Sequence, residues 1–313
     1  MKIITVTCNP AIDKTAYVDA IEFGGLNRLK NVRTDAGGKG INVSKTLQVF
    51  GIDSLITGFK GGQSGEQISE MLKPTHLPQQ WINVSSPNRT NLKVINSEGV
   101  CTELNEPGPI VSPQETEELI HLILNQTDSS TIVILSGSGA GAMASDTYQR
   151  LVRLCKEKGA WVMLDADGEL FSKAVIEGPD FIKPNRVECE KYFGLDSSAS
   201  EKELIECAHK WIKMGVGNIV LSLGKEGAYF FNHDESLYAA GMKVDVKSTV
   251  GAGDSMVASF AYSKVMDETF TESARRALAT SAATVTTPST QPASLEIIES
   301  MMKLVDLKPI KES

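Results

Sequence analysis

Short, nearly uninterrupted apolar segments alternate with longer helix-like segments along most of the chain. The strand-like segments read KIITVT, SLITGF, TIVILSG, WVMLDAD, DFIKPN and NIVLSLG. Apolar runs of this kind are typical of strands that are buried on both faces. The alternation therefore predicts an α/β fold with a mostly parallel central sheet and helices on both of its faces.

The helix-like segments are INVSKTLQVF, PQETEELIHLILNQ, SDTYQRLVRLCKEKG and EKELIECAHKWIKMG. The last two end at Gly159 and Gly215, and glycine commonly ends a helix because it adopts left-handed backbone angles without strain. Residues 269–306 are predicted to form the terminal helices.

Two polar regions, residues 11–35 and about 84–108, interrupt this alternation. The segment NLKVINSEGVCTEL predicts a hairpin that turns at residues 96–99, and GAYFFNHDESLYAAG predicts a second hairpin. We interpret the two polar regions as strands of one small sheet, inserted into a single domain that spans residues 1–313.

Charge and cysteine content narrow the possible partners and location. The formal net charge of −8 argues against a nucleic-acid-binding protein, which would present a basic face. Five scattered cysteines without a C-x-x-C pair are typical of reduced thiols in the cytoplasm. No apolar run approaches the roughly 20 residues that cross a bilayer, and the N-terminus does not resemble a signal peptide. We therefore expect a cytoplasmic protein that binds neither nucleic acid nor membrane and holds any anionic ligand with a few local cations.

The segment STVGAGDS places Gly251, Ala252 and Gly253 directly before Asp254 and an apolar run. Small side chains leave backbone N–H groups open to an anion, and a helix beginning near Asp254 would direct its positive dipole end to the same spot. An acid beside such a site is suited to accept a proton from an attacking hydroxyl. The alternative is a plain helix start in which Asp254 is the N-cap residue, and this segment alone leaves both interpretations open.

A second glycine-rich segment, AGGKGINVSKTL, begins another predicted helix. Its glycines at positions 37, 38 and 40 would let a ligand approach the backbone. Lys39 adds a positive charge, and Asn42 can both donate and accept hydrogen bonds, which suits sugar hydroxyls. The alternative is a tight turn before a surface helix.

Several other motifs are absent from the sequence. It contains no Walker A loop, no dinucleotide-binding glycine pattern after the first strand and no nucleophile elbow. The four histidines are not clustered, so the sequence suggests neither a histidine metal site nor a catalytic triad.

The two glycine-rich segments together, GGKGINVSKTL and STVGAGDSMV, resemble the signature regions of the ribokinase-like (PfkB) carbohydrate kinases. The landmarks NPAID, KPNRVE and LSLGKEGA also occur in the family's order, so the resemblance covers essentially the whole chain. Lys39, Arg89 and the ending MMKLVDLKP make the chain most similar to the 1-phosphofructokinases and tagatose-6-phosphate kinases. The resemblance implies a three-layer α/β/α fold in which the small sheet is a lid over the sugar, often shared across a homodimer.

The resemblance also implies a kinase that uses ATP and Mg²⁺ to add a second phosphate to a ketohexose monophosphate. The favoured acceptor is fructose 1-phosphate, which would give fructose 1,6-bisphosphate. Tagatose 6-phosphate and fructose 6-phosphate are alternative acceptors. An inactive sugar-phosphate sensor with the same fold is an alternative from a different functional class.

Matching positions to the family motifs assigns an expected role to each candidate residue. Asp254 is expected to be the catalytic base, beside an anion-binding turn made of Gly251, Ala252 and Gly253. The expected contacts to the sugar and its phosphate come from Asp13, Arg28, Gly38, Lys39, Asn42 and Arg89. The expected nucleotide contacts come from Lys183, Asn185, Ser222, Gly224, Thr249 and Ser281, with Glu188 handling Mg²⁺ through water. Arg28 has a second interpretation, as a solvated surface charge.

Three segments depart from the family pattern. The turn at residues 139–142, which borders the sugar side, reads GAGA where the family has a Leu-Pro-Pro-like sequence. In DADGEL we interpret Asp165 and Asp167 as structural residues, because the run lacks the rest of a calcium-binding loop. The segment TTPSTQPA replaces a glycine-containing segment near the nucleotide.

Overall fold

The structure is a computed structural model, and it describes residues 1–310. Within these residues a ten-stranded sheet forms the centre of the fold. Its strands are β1 (Lys2–Thr7), β4 (Leu55–Gly61), β5 (Gln79–Val84), β8 (Thr131–Ser136), β9 (Trp161–Asp165), β10 (Phe181–Ile182), β11 (Asn218–Ser222), β12 (Gly227–Phe231), β13 (Ser236–Ala240) and β14 (Leu307–Pro309).

Seven strands of this sheet are parallel, in the order β5-β4-β1-β8-β9-β10-β11. Antiparallel strands β12, β13 and β14 extend the sheet beyond β11, and β12 and β13 form the hairpin predicted from GAYFFNHDESLYAAG. The prediction of a mostly parallel sheet is confirmed. All six apolar segments contribute a strand, although only Phe181 and Ile182 of DFIKPN do so.

Helices cover both faces of the large sheet. They are α1 (Lys39–Val49), α2 (Gly62–Leu72), α3 (Pro113–Asn125), α4 (Thr147–Glu157), α5 (Gly168–Ala174), α6 (Arg186–Phe193), α7 (Glu201–Lys213), α8 (Ala252–Val265), α9 (Phe270–Thr284) and α10 (Leu295–Met302). The terminal helices predicted within residues 269–306 are α9 and α10. Gly159 and Gly215 follow α4 and α7 with φ of 79° and 97°, as expected of glycines that end helices. No helix between residues 1 and 310 combines the length and the apolar character needed to span a bilayer.

The side chains of the buried strands point alternately to the two faces of the large sheet, so the core has two halves. In β1, Ile4 belongs to the cluster formed with α3, α4 and α7, whereas Ile3 belongs to the cluster formed with α1, α8 and α9. Successive residues of a strand point to opposite faces, so every fully apolar strand contributes to both clusters. The result is the three-layer α/β/α arrangement that the resemblance implied.

A separate four-stranded sheet is made of β2 (Ala11–Tyr17), β3 (Lys30–Gly37), β6 (Arg89–Ile95) and β7 (Cys101–Asn105), in the order β3-β2-β6-β7. The predicted hairpin turning at residues 96–99 joins β6 to β7. The second half of this sheet begins at Arg89 rather than near residue 84, because Val84 pairs with Gly61 in the large sheet. Helix α2 packs against the small sheet through Ile68 and Leu72.

Four elements were not predicted from the sequence: α2, β5, α5 and α6. Helix α2 reads GQSGEQISEML, and two glycines near its start weaken the helical signal. Strand β5 is a partly exposed edge strand, so it lacks the continuous apolar run of its neighbours. Helix α6 has only eight residues, and its start is defined by a capping box between Asn185 and Glu188.

Candidate active site

The segment GAGD begins helix α8 two residues earlier than expected. Gly251 is the N-cap residue with φ of 83°, a left-handed conformation that favours glycine, and Ala252 is the first helical residue. The N–H of Ser255 donates to the carbonyl of Gly251, so the N–H groups before Ser255 have no acceptor within the helix. Within the described part of the chain, no side chain caps this helix start. The turn therefore offers several backbone donors and a positive dipole end to an anion.

Asp254 lies in the first turn of α8 and is 6% exposed. Its Oδ2 atom accepts a hydrogen bond of 2.8 Å from Nδ2 of Asn42, in the first turns of α1. The N-cap interpretation of Asp254 is therefore wrong, because Gly251 occupies that position. Burial and repulsion from Asp165 raise the pKa of Asp254 to about 6, although Lys39, Asn42 and Lys183 pull it downward.

Asp165 is the last residue of β9 and is 1% exposed. Its Oδ1 atom lies 3.3 Å from Nζ of Lys39 and 3.4 Å from Nζ of Lys183. Burial alone would raise the pKa of this carboxyl, but the two ammonium groups outweigh burial and lower it. The same contact is the main reason that the pKa of Lys39 is raised. Asp165 therefore joins two of the predicted site lysines.

The sequence predicts a structural role for Asp165, and its contacts with Lys39 and Lys183 correct that prediction. A usable signal was present, because Asp165 directly follows the buried run WVML. The carboxyl ends of parallel strands are where ligands bind in open α/β sheets. An acid at the end of a buried strand is thus a site candidate. Asp167, two residues further, is exposed and forms no ion pair with a lysine among residues 1–310.

Gly253 and Lys183 approach each other closely. A Cβ atom added at Gly253 would lie 3.0 Å from both Cε and Nζ of Lys183. Lys183 itself is 6% exposed and follows the short strand β10. The absence of a side chain at position 253 therefore lets a buried ammonium group sit beside the free amides of α8.

The glycines of GGKG serve the packing of α1 in this structure. A Cβ atom at Gly38, where φ is 127°, would lie 2.6 Å from Cγ2 of Thr7, and one at Gly40 would lie 2.5 Å from its Oγ1. A Cβ atom at Gly37 would lie 2.4 Å from Cγ of Asp13. These glycines let the start of α1 press against β1 and β2, which brings Lys39 and Asn42 to Asp165 and Asp254.

Four of the predicted nucleotide residues line one cavity of about 270 Å³: Ser222, Gly224, Thr249 and Ser281. Ala252 and Gly253 at the start of α8 also line this cavity, together with the apolar residues Met242, Val246 and Leu278. An apolar-walled cavity that ends at free helix amides suits a flat ring joined to phosphates.

Asn185 and Glu188 form the capping box of α6. Oδ1 of Asn185 accepts from the N–H of Glu188 at 2.9 Å, and Oε2 of Glu188 accepts from the N–H of Asn185 at 2.8 Å. The backbone of Asn185 also forms an isolated parallel β-bridge with Ser222, the last residue of β11. Both residues line a larger cavity of about 640 Å³ beside α5 and α6.

The carboxylates at the site could bind Mg²⁺ only if a ligand and water supplied the remaining oxygen atoms. No group of three or more His, Cys, Asp or Glu side chains within residues 1–310 could hold a metal ion alone. Oδ2 of Asp165 is buried without a hydrogen-bond partner, and Glu188 uses only Oε2 in its capping box. Mg²⁺ commonly binds through one or two carboxylates, several waters and substrate phosphates, which these two acids can support.

The predicted sugar side contains a buried ion pair. Nζ of Lys93 lies 3.1 Å from Oδ2 of Asp13, and both side chains are at most 7% exposed. Nδ2 of Asn91 donates to Oδ1 of Asp13 at 2.9 Å. Arg89, Asn91 and Lys93 are alternate residues of β6, so they lie on one face of the small sheet, the face that also carries Asp13. Arg89 was predicted from the family motifs, whereas Asn91 and Lys93 were not, although this alternation could have indicated them.

Arg89 is half-buried at the start of β6. One guanidinium nitrogen donates to the carbonyl of Asn9 at 3.3 Å, while its Nε atom is buried without a partner. Arg28 is not brought to this place: it is exposed in the loop between β2 and β3. Among residues 1–310 it makes no hydrogen bond or ion pair with another candidate residue, as its surface-charge interpretation expects.

The candidate site lies where the starts of α1 and α8 approach the carboxyl ends of β1, β9, β10 and β11. The sequence profile of the pfkB family of carbohydrate kinases matches residues 6–297. The chain belongs to this family. It is therefore a carbohydrate kinase, and family membership implies the use of ATP.

Two relatives and one solved structure illustrate the similarity. The 1-phosphofructokinase of Bacillus subtilis is 34% identical over 82% of this chain and 84% of its own length. The tagatose-6-phosphate kinase of Staphylococcus epidermidis is 32% identical over 88% of this chain and 89% of its own. Phosphofructokinase-2 of Escherichia coli, solved with substrates and products, superposes with a TM-score of 0.92 over 97% of this chain and 99% of that one. That structure is 23% identical, so it supports the fold.

Proposed function

We propose that this kinase transfers the γ-phosphoryl group of ATP to a ketohexose monophosphate, with fructose 1-phosphate as the favoured acceptor. The products would be fructose 1,6-bisphosphate and ADP. The observation that carries the proposal is the buried carboxylate of Asp254, held by Asn42 beside the unpaired amides of α8. A base and an anion site in contact are the two components that phosphoryl transfer to a hydroxyl requires.

In the proposed reaction the nucleotide base lies in the cavity that includes Ser281, and its phosphates extend to the turn of Gly251, Ala252 and Gly253. The acceptor hydroxyl oxygen attacks the γ-phosphorus, the bond to the β–γ bridging oxygen breaks, and the hydroxyl proton passes to Asp254. The amides of the turn and the ammonium group of Lys183 stabilise charge on the transferred group. Mg²⁺, held by Glu188 and Asp165 through water and phosphate oxygens, would neutralise part of the charge on the phosphates.

The pKa of Asp254 supports its role as the base. A pKa of about 6 leaves most of the carboxylate ionised at neutral pH, yet makes it a stronger proton acceptor than an ordinary aspartate. Lys39 and Asn42, both in the first turn of α1, would orient the acceptor between α1 and α8.

The acceptor already carries a phosphate, and a chain of net charge −8 needs local cations to bind it. Lys39 and Arg89 are the candidate cations, and Lys93 provides a further buried cation that is paired with Asp13. The similarity to both a 1-phosphofructokinase and a tagatose-6-phosphate kinase supports a sugar phosphate as acceptor. Tagatose 6-phosphate is the main alternative to fructose 1-phosphate, and fructose 6-phosphate is the second.

A coupled assay of ADP release tests the proposed function. The protein is mixed with ATP, Mg²⁺ and each ketohexose phosphate in turn, and the products are identified by phosphorus NMR. The proposal expects the highest kcat/KM with fructose 1-phosphate and the new phosphate on carbon 6. Tight binding of one sugar phosphate without turnover of any would instead support the inactive sensor.

We further propose that the small sheet acts as a lid and joins two copies of the chain. Its outer strand and the loop between β2 and β3 expose Phe23, Leu26 and Leu104 at 92%, 74% and 59%. Several exposed apolar side chains on one small sheet are typical of a surface covered by a partner. Sedimentation velocity is expected to give a dimer, and Leu104→Asp to shift it towards monomer. A monomeric unmodified protein at high concentration would contradict the dimer.

The five cysteines are consistent with the cytoplasmic location expected from the sequence. None of them forms a disulfide, and four are buried. Reduced buried thiols are typical of proteins in a reducing compartment.

A further inference from the structure

The side chain of Asn9 joins two segments on the sugar side of the site. Asn9 follows β1 and is 5% exposed. Its Nδ2 atom lies 3.2 Å from the carbonyl of Pro107 and 3.1 Å from the carbonyl of Gly139, with the hydroxyl of Ser138 at 3.4 Å. Carbonyl oxygens on both sides require the amide nitrogen to face them, which fixes the orientation of the side chain.

These two segments come from different parts of the fold. Pro107 follows β7 and so lies where the chain leaves the small sheet, whereas Gly139 lies in the loop that follows β8. The segments also contact each other directly. The N–H of Gly141 donates to the carbonyl of Pro109, and the N–H of Val111 donates to the carbonyl of Gly141. Through its side-chain hydrogen bonds, Asn9 connects these two segments to the end of β1, in the large sheet.

Each segment borders one of the candidate cations. On one side, Arg89 donates to the carbonyl of Asn9 at 3.3 Å and to that of Glu106 at 3.5 Å, next to Pro107. On the other side, Gly137 packs against the side chain of Lys39, since a Cβ atom there would lie 3.7 Å from Cβ of Lys39. The position of Asn9 therefore influences both groups that would hold the substrate's phosphate.

We propose that Asn9 is a positioning and specificity-determining residue: by joining the exit of the small sheet to the 137–141 loop, it sets the relative positions of Arg89 and Lys39. This inference rests on the proposed function, because it assigns those cations to the phosphosugar. The nucleotide cavity has none of these residues in its lining. Loss of the Asn9 amide should therefore weaken sugar-phosphate binding and acceptor discrimination while leaving ATP binding intact.

The matched variants are Asn9→Ala and Asn218→Ala. Asn218 also donates through Nδ2 to a carbonyl, that of Asp180 at 2.9 Å, but at the start of β11, away from the site. Asn9→Ala is expected to raise KM for the phosphosugar by about tenfold, the effect of about 1.4 kcal/mol of lost binding. KM for ATP should stay within about twofold, and the kcat/KM ratio between two ketohexose phosphates should move towards one. Asn218→Ala should leave all three quantities unchanged.

A second variant covers the case in which Asn9→Ala does not fold. Asn9→Ser replaces the amide with a shorter hydroxyl donor, which could approach a carbonyl only if the backbone shifts, so a KM between those of Asn9→Ala and the unmodified protein is expected. A folded Asn9 variant whose phosphosugar KM and acceptor ratio match those of the unmodified protein would overturn the inference. So would equal increases in KM for both substrates. Failure of the unmodified protein to bind or phosphorylate any sugar phosphate would instead overturn the proposed function itself.

Discussion

The carboxylate of Asp254 accepts a hydrogen bond of 2.8 Å from the side-chain amide of Asn42, a residue 212 positions earlier in the chain. The pair connects the first turns of two helices, α1 and α8, whose glycine-rich starts carry the two family signatures. Because the bond favours the ionised carboxylate, Asn42 helps to keep Asp254 ready to accept a proton.

Replacing Asn42 by alanine should move the acidic limb of the pH profile to higher pH. The hydrogen bond from Asn42 lowers the pKa of Asp254, so its loss raises that pKa, and a larger share of the base is protonated at neutral pH. The measurement is kcat/KM for the phosphosugar as a function of pH, which reports the free enzyme. An acidic limb that stays in place would show that Asn42 does not tune the base.

Replacing Asp165 by asparagine should move the same limb in the opposite direction. The negative charge of Asp165 raises the pKa of Asp254, so its removal lowers that pKa. Turnover should also fall, because Lys39 and Lys183 lose the carboxylate that holds them. Opposite shifts in the Asn42 and Asp165 variants would be difficult to obtain from general destabilisation. Shifts of the same sign would contradict this electrostatic account.

Asp254→Asn should lower kcat by at least roughly 100-fold while leaving ATP binding nearly intact. The amide keeps the size of the side chain but cannot accept the hydroxyl proton. Steady-state kinetics measures the first effect and calorimetric titration with ATP measures the second. Turnover near that of the unmodified protein would remove Asp254 as the base.

The same Asp254→Asn change should stabilise the fold at alkaline pH. Folding raises the pKa of Asp254 from its ordinary value of 3.8 to about 6, so the folded state binds the proton more tightly than the unfolded state. Protonated Asp254 therefore stabilises the folded state. This stabilisation is fully present below the pKa that Asp254 has in the unfolded state, and it is lost as the pH rises through about 6. The free energy of unfolding should therefore rise by up to about 3 kcal/mol at about pH 8 and change little at about pH 4. Urea denaturation at the two pH values checks the prediction, and an equal gain at both would contradict it.

Gly253→Ala should reduce turnover without destabilising the protein. The added Cβ would lie 3.0 Å from the end of the Lys183 side chain, which must move away from the amides of α8. Gly253 lies in the helix, where alanine is favoured by up to about 1 kcal/mol, so thermal stability provides an internal control. A lower kcat with an unchanged or higher melting temperature is expected. Full activity would show that the position of Lys183 is unimportant.

Much of the site was predictable because its residues belong to short, continuous motifs. GGKG and GAGD each place small residues and one charged residue at a predicted helix start. In the structure, both segments do begin helices, α1 and α8. Ser222, Gly224, Thr249 and Ser281 come from separate segments, yet all four line one cavity, as the family motifs implied. Asn91 and Lys93 could have been found from strand alternation, whereas Arg28 is exposed in its loop and meets none of the other candidate residues among residues 1–310.

The sequence by itself determined the layers of the fold, since apolar runs with helices between them can bury their side chains only in a parallel sheet covered on both faces. It also determined where the anion-binding turns begin, because only residues without bulky side chains leave those amides open. The tertiary structure alone decided the protonation chemistry. The pKa of Asp254 depends on Asp165, Lys39, Asn42 and Lys183, which approach it only when four separate elements meet at the carboxyl edge of the sheet. Electrostatic interactions depend on distance through space and on burial, and neither quantity is contained in the order of residues along the chain.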